Sequence, residues 1–143
     1  MKTYFVDTNY FLRLLIKDNN KQFKIAYAFF KKASEYQINT LTSTVVIFEI
    51  FWVLSSFYQK QKNQVVSLLK NILKVDFVEI EHRQTLIEAL ELYSHYSLDF
   101  EDCYYIIFAK NLSANFASFD KRIHRIMALP NKKWSTIALI NHC

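Results

Sequence analysis

The sequence predicts an α/β fold, a parallel β-sheet covered by helices on both faces in a three-layer α/β/α sandwich. Three observations lead there. Short strand-like runs alternate with longer amphipathic helical stretches. The first run, Tyr4-Phe5-Val6, is continuously apolar, the pattern of a strand buried on both faces of a parallel sheet. That run ends in a carboxylate, Asp7, and passes at once into the helix starters Thr8 and Asn9.

The elements follow in order. Tyr10 to Ile16 has a helical pattern, closed by a turn at Asp18-Asn19-Asn20. Phe23, Tyr27, Phe30 and Ala33 then recur at helical spacing with lysines between them. Ile38 to Leu41 reads as a short strand. Thr42, Ser43 and Thr44 offer N-caps for a helix running to about Tyr58. A further amphipathic helix spans about Asn63 to Lys74, with Val66, Leu69 and Leu73 on one face. Val75 to Ile80 is a strand candidate, and Thr85 to Tyr96 is helical, with Leu86, Leu90 and Tyr93 inward. Asp99 stands where it can cap a helix from Phe100 to Leu112. Asn115 to Phe119 reads as a strand ending in Asp120, Arg122 to Met127 as a short helix, and Trp134 to Ile140 as a last strand.

The totals bound the answer. A chain of 143 residues, 52% hydrophobic and 17% aromatic, suits one globular domain, residues 1–143, with a single core. No repeat, linker or low-complexity tract divides it. Glycine is absent, which excludes any glycine-rich phosphate loop and leaves turns to Asn, Asp, Ser and Lys. The net charge of +5 favours polyanionic partners. Cys103 and Cys143 lack metal or redox spacing, so a reducing cytoplasm fits. No signal peptide is evident, and the most apolar window, Val45 to Leu54, is too short to span a bilayer and carries Glu49, so no membrane partner is expected. The four histidines lack ligand spacing.

Four acids stand out. Asp7 either caps the following helix or serves chemistry at the carboxyl edge of the sheet, where α/β proteins place their sites. Glu49 has only apolar helical neighbours, Val45, Val46, Trp52 and Val53, where a charge is costly unless paired, protonated or bound to a cation. Its plain alternative is an exposed edge or an Arg partner. Asp99, Glu101 and Asp102 cluster at a helix start, where acids complement the helix dipole. Asp102 shares a largely apolar stripe with Tyr105, Ile106 and Ala109, so it is the member expected to be buried and functional. Glu101 reads as a solvated charge. Asp120 repeats the pattern of Asp7, with Ser118 two residues earlier able to orient it. Carboxylates gathered at one sheet edge repel, and a divalent cation removes the conflict. All-oxygen ligation suits Mg²⁺ or Mn²⁺, whose characteristic chemistry is phosphoryl transfer by water.

Four segments now carry a family likeness: Val6-Asp7-Thr8-Asn9 with Leu12-Arg13; Glu49 with Trp52-Val53-Leu54; Asp99-Phe100-Glu101-Asp102; and Ser118-Phe119-Asp120-Lys121. In order and spacing they resemble the PIN domain, and most closely the VapC-type ribonuclease toxins of toxin–antitoxin pairs. The resemblance implies a PIN-like sandwich and Mg²⁺-dependent endoribonuclease activity. It makes Asp7, Glu49, Asp102 and Asp120 the catalytic and metal-binding quartet. Thr8, Asn9, Asp99 and Ser118 become supporting groups. It also implies a cognate antitoxin and a homodimer, for which Phe29, Phe30, Phe57 and Tyr58 could supply an apolar patch. Ser118 stands where threonine is more usual, and the residues after Lys132 match poorly. Arg13, Lys121, Arg122 and Arg125 are the expected RNA contacts, with Lys132 and Lys133 extending the basic tail. Two rival readings remain, a catalytically silent RNA- or protein-binding module on the same fold and a phosphoacceptor signalling domain. The second needs a central strand-end acceptor Asp, which is not evident.

Overall fold

The computed structural model describes residues 1–130, so the expected strand Trp134–Ile140, with Lys132, Lys133, His142 and Cys143, lies outside the described residues. The chain divides into two compact units, the first spanning Met1–Arg83 and the second beginning at Gln84.

The first unit holds a three-stranded parallel sheet. Its strands are β1 (Thr3–Phe5), β2 (Asn39–Thr42) and β3 (Val78–Ile80), in the order β1-β2-β3. Thr3 pairs with Asn39 and Phe5 with Leu41, while Thr40 pairs with Val78 and Thr42 with Ile80. Each crossover is helical, as parallel pairing requires. Helices α1 (Thr8–Leu15) and α2 (Asn20–Ser34) join β1 to β2. Helix α3 (Thr44–Trp52), a π-helical turn (Val53–Phe57) and α4 (Lys62–Lys74) join β2 to β3. Caps fix the helix starts: Asn19 accepts from Gln22 N, and Ser43 from Val46 N. Phe11, Leu12, Phe30, Ile47, Ile50, Leu54, Leu69 and Val78 form the core. The Arg83 guanidinium donates to the carbonyls of Leu73 and Val78, tying the end of α4 to β3.

The second unit is helical among the described residues. Helix α5 (Arg83–His95) leads to α6 (Phe100–Asn111) and α7 (Lys121–Met127). Leu86, Leu90, Phe100, Cys103 and Ile106 are buried, as is Ile123. Lys110 Nζ on α6 donates to Met127 O at 2.9 Å, which joins α6 to the end of α7.

Several expectations are corrected. β1 is not buried on both faces: Thr3, Tyr4 and Phe5 are exposed, and burial begins with Val6. Among the described residues β1 pairs only with β2. Tyr27 is 55% exposed, because α2 turns the stripe Ala26, Phe30 and Ala33 inward instead. The helix expected to run to Tyr58 changes to π geometry at Val53. No strand forms over Asn115–Phe119, which has no ladder partner among the described residues, and Phe119 is fully exposed. Asp120 therefore follows an irregular stretch.

The chain has no glycine, yet among the described residues four take left-handed backbone: Tyr36, Gln59, His82 and Ser113, with φ of 58°, 51°, 55° and 53°. Two of them close α-helices. After Tyr36, Gln37 N reaches back to Lys32 O, and after Ser113, Ala114 N reaches back to Ala109 O. That closure is the usual work of glycine.

Candidate active site

In the first unit the site begins where β1 ends. Asp7 is the N-cap of α1, and its Oδ1 accepts from Asn9 N at 3.1 Å and Tyr10 N at 3.4 Å. The capping role is thus real, and it fixes the carboxylate at the carboxyl end of the strand. The buried Thr8 hydroxyl donates to Glu49 Oε2 at 2.8 Å. Through this bond α1 holds Glu49 beside the start of its own first turn.

Glu49 itself is exposed, which overturns its expected apolar burial. Helix α3 turns Val46, Ile47 and Ile50 inward. Val45 and Trp52, which flank Glu49 along the helix, are 72% and 60% exposed. Their apolar character reports an exposed apolar face, not a core around the charge.

Arg13 is fixed by three partners. Its Nε donates to Gln22 Oε1 at 2.6 Å, and its Nη1 to Asp18 Oδ1 at 3.0 Å and to Tyr58 OH at 3.5 Å. Tyr58 OH in turn donates to Asp18 Oδ2. Among the residues offered for an apolar patch, Phe57 is 72% exposed, whereas Phe30 is buried against Phe11 and contributes none.

In the second unit the acids lie at two helix starts. Asp99 takes the N-cap position of α6, but its side chain makes no capping bond. Asp102, one turn in, is half-buried. Burial pushes its carboxyl above the usual range. The negative charges of Asp99 and Asp120 push the same way, and Arg122 opposes them. Asp120 caps α7, accepting from Arg122 N at 2.9 Å. It also accepts from Arg122 Nη2 at 3.0 Å and Nε at 3.3 Å, a two-pronged ion pair. That pair holds the Asp120 carboxyl below its usual range. Ser118 acts on the backbone: its Oγ accepts from Asp120 N at 3.0 Å, and its carbonyl lies 2.7 Å from His124 Nε2. Lys121 and Arg125 are exposed on α7.

The structure therefore joins Asp7 to Glu49 through Thr8 in one unit, and groups Asp99, Asp102 and Asp120 electrostatically in the other. Sequence reasoning missed three roles. Arg122 is a partner of Asp120 as well as a basic residue, and its i+2 position at a cap was the available signal. His124 braces Ser118 from one turn along α7. Glu81, like Asp7 an acid just past a strand end, accepts from Thr44 N at 3.1 Å and so caps α3.

Among the described residues no group of three acidic, histidine or cysteine side chains stands close enough to hold a metal ion. The oxygen donors still fit Mg²⁺, which keeps several waters and takes only one or two carboxylates. Burial and its acidic neighbours disfavour the Asp102 charge, so a nearby cation would stabilise it.

A model of the PIN domain matches residues 4–129, nearly the whole chain and both compact units. The chain belongs to the PIN domain family. PIN domains are commonly nucleases and usually bind divalent metals. The α/β class and the parallel sheet agree with this membership. No curated protein and no solved structure matched the chain. Among the described residues of this PIN domain, no helix is long and apolar enough to cross a membrane.

Proposed function

We propose that this PIN domain is a Mg²⁺- or Mn²⁺-dependent endoribonuclease, the VapC-type toxin of a toxin–antitoxin pair, working as one domain in the cytoplasm. The carrying observation is the half-buried Asp102, whose charge is disfavoured by burial and by Asp99 and Asp120. A nearby divalent cation would offset that penalty and favour the ionised carboxylate. We assign the ligand roles to Asp102 and Asp120 in the second unit and to Asp7 and Glu49 in the first. When bound, a divalent ion supplies Lewis acidity toward water and screens the phosphate charge.

The chain's own residues have separable roles. Thr8 orients Glu49, Asn9 braces Asp7 through its backbone N–H, and Ser118 braces the backbone of Asp120. Lys121 and Arg125 supply positive charge for the RNA backbone, and Arg122 joins them whenever its pair with Asp120 opens. A cognate antitoxin would mask these groups, and the exposed Phe57 is a candidate contact in a homodimer. The Asp120–Arg122 pair also favours a second reading, a catalytically silent binding module in which Arg122 stands in for a cation.

The test is cleavage of a synthetic single-stranded RNA with Mg²⁺, with Mn²⁺ and with chelator. Cleavage should need the metal, and Asp102→Asn or Asp7→Asn should each lower it by at least a hundredfold while the fold is retained. Near-wild-type cleavage by either variant would overturn the ligand assignment, and no cleavage under any condition would leave the binding module.

A further inference from the structure

We infer that Arg122 is a built-in competitor for the divalent cation: it occupies the Asp120 carboxylate as a tethered positive charge and must leave before a metal ion can take that ligand. The inference rests on the metal-dependent reading of the site and adds to it what sets the affinity for metal. All the groups concerned lie within the second unit.

One residue uses most of the Asp120 carboxylate. Its Oδ1 accepts from Arg122 N at 2.9 Å and from Arg122 Nε at 3.3 Å, and its Oδ2 accepts from Arg122 Nη2 at 3.0 Å. A carboxylate offers about four lone-pair positions, so three such bonds leave little for a cation. The guanidinium also feels the negative charges of Asp99 and Asp102. It therefore stands where the three acids of this unit would draw a divalent ion, and two cations in one place repel.

Arg122 is held loosely enough to leave. Its side chain is 54% exposed. Beyond Asp120, its Nη1 reaches Ser97 O at 3.4 Å, longer than a well-formed hydrogen bond. Exposed ion pairs contribute little to stability, so opening this one costs the fold little. Arg13 and Arg83 differ. The first is fixed by Gln22, Asp18 and Tyr58, the second by the carbonyls of Leu73 and Val78. In both, the guanidinium is spent on groups outside the four candidate ligands. A released Arg122 joins Lys121 and Arg125, exposed on the same helix, as a contact for RNA phosphate. Metal at Asp120 and phosphate at Arg122 then favour each other, because coupling between two sites is reciprocal.

The experiment is titration of the whole protein with Mn²⁺, the free ion being followed by its electron paramagnetic resonance signal. It compares wild type with Arg122→Gln, Arg122→Lys, Asp120→Asn and the double variant Asp120→Asn/Arg122→Gln. At low salt Arg122→Gln should bind Mn²⁺ about threefold to tenfold more tightly than wild type, the scale of one exposed charge pair. The gain should shrink as KCl is raised, since exposed charges are screened. Arg122→Lys keeps the charge but not the two-pronged geometry, so it should fall between the two. In the Asp120→Asn background the Arg122→Gln gain should be smaller, because the competition passes through that carboxylate. Melting temperatures in chelator show which variants fold. If Arg122→Gln does not, Arg122→Lys decides, tighter binding than wild type supporting the inference and unchanged binding overturning it. Unchanged or weaker Mn²⁺ binding by folded Arg122→Gln, an equal gain in both backgrounds, or no Mn²⁺ binding by wild type and Arg122→Gln alike would overturn it too. Tighter Mn²⁺ binding by Arg122→Gln with no RNA cleavage would remove the nuclease and keep the competitor. Metal-dependent cleavage with unchanged Mn²⁺ affinity in Arg122→Gln would remove the competitor and keep the nuclease.

Discussion

Thr8 shows how one side chain can serve both fold and site. It is buried, yet its hydroxyl is spent on an exposed carboxylate. Valine has nearly the same shape but cannot donate. Thr8→Val should change stability by no more than about 1.5 kcal/mol, since the partner is solvent-exposed. RNA cleavage should nevertheless fall at least tenfold, because Glu49 loses its anchor. Thermal melts beside single-turnover rates would check this, and an unchanged rate would make Glu49 a bystander. Glu81 gives a pH-dependent counterpart. The hydrogen bond from Thr44 N holds its carboxyl below the usual range. A depressed folded pKa contributes stability that is present above the unfolded value and is lost as pH falls through the folded one. Glu81→Gln should therefore lower the melting temperature slightly at pH 7. The difference from wild type should shrink as pH drops through and below the ordinary carboxylate range. A gap that stayed constant with pH would locate the effect in packing.

At the level of elements, helix ends carry the cost of a glycine-free sequence. Ser113 closes α6 with φ of 53°, where a side chain crowds the backbone by about 1–2 kcal/mol. Glycine relieves that crowding but loses more freedom on folding. Ser113→Gly should stabilise the protein by up to about 1 kcal/mol, read as a raised midpoint in urea with an unchanged slope. Helix α3 illustrates a limit of sequence patterns. In Val45 to Trp52 nearly every position is apolar, so periodicity could not tell the inward stripe from the outward one. Glu49 marked the outward stripe, the reverse of the inference drawn from its neighbours. The β1 run misled for a related reason: a run of three apolar residues does not say which of them are buried, and Tyr4 and Phe5 are exposed while Val6 is not.

Across the whole molecule, one family model covers two compact units, and the four named acids fall two in each. Under the metal reading, Mg²⁺ binds only the folded chain and should raise its melting temperature. A hundredfold excess over the dissociation constant corresponds to about 2.7 kcal/mol. Asp102→Asn removes a charge disfavoured by burial and by its acidic neighbours. It should melt at or above the wild type without metal and should lose most of the Mg²⁺ response. A marked drop in metal-free stability, with the response intact, would make Asp102 structural.

The sequence alone determined the class of fold, the positions of the described helices and of the three described strands, and the acids worth naming. These follow from local rules, namely apolar period, capping residues and chain order, which act over a few neighbouring residues. The likeness of four short motifs to the PIN domain also lay within the sequence, and the family match over residues 4–129 agrees with it. Tertiary structure alone decided which apolar stripe of α3 is solvent-facing and that Asn115–Phe119 lacks a ladder partner among the described residues. It also decided that Glu49 is held by Thr8, Asp120 by Arg122 and Gln22 by Arg13. Burial and pairing depend on what the rest of the chain brings alongside. Thr8 meets Glu49 across 41 positions, a separation that no local pattern encodes.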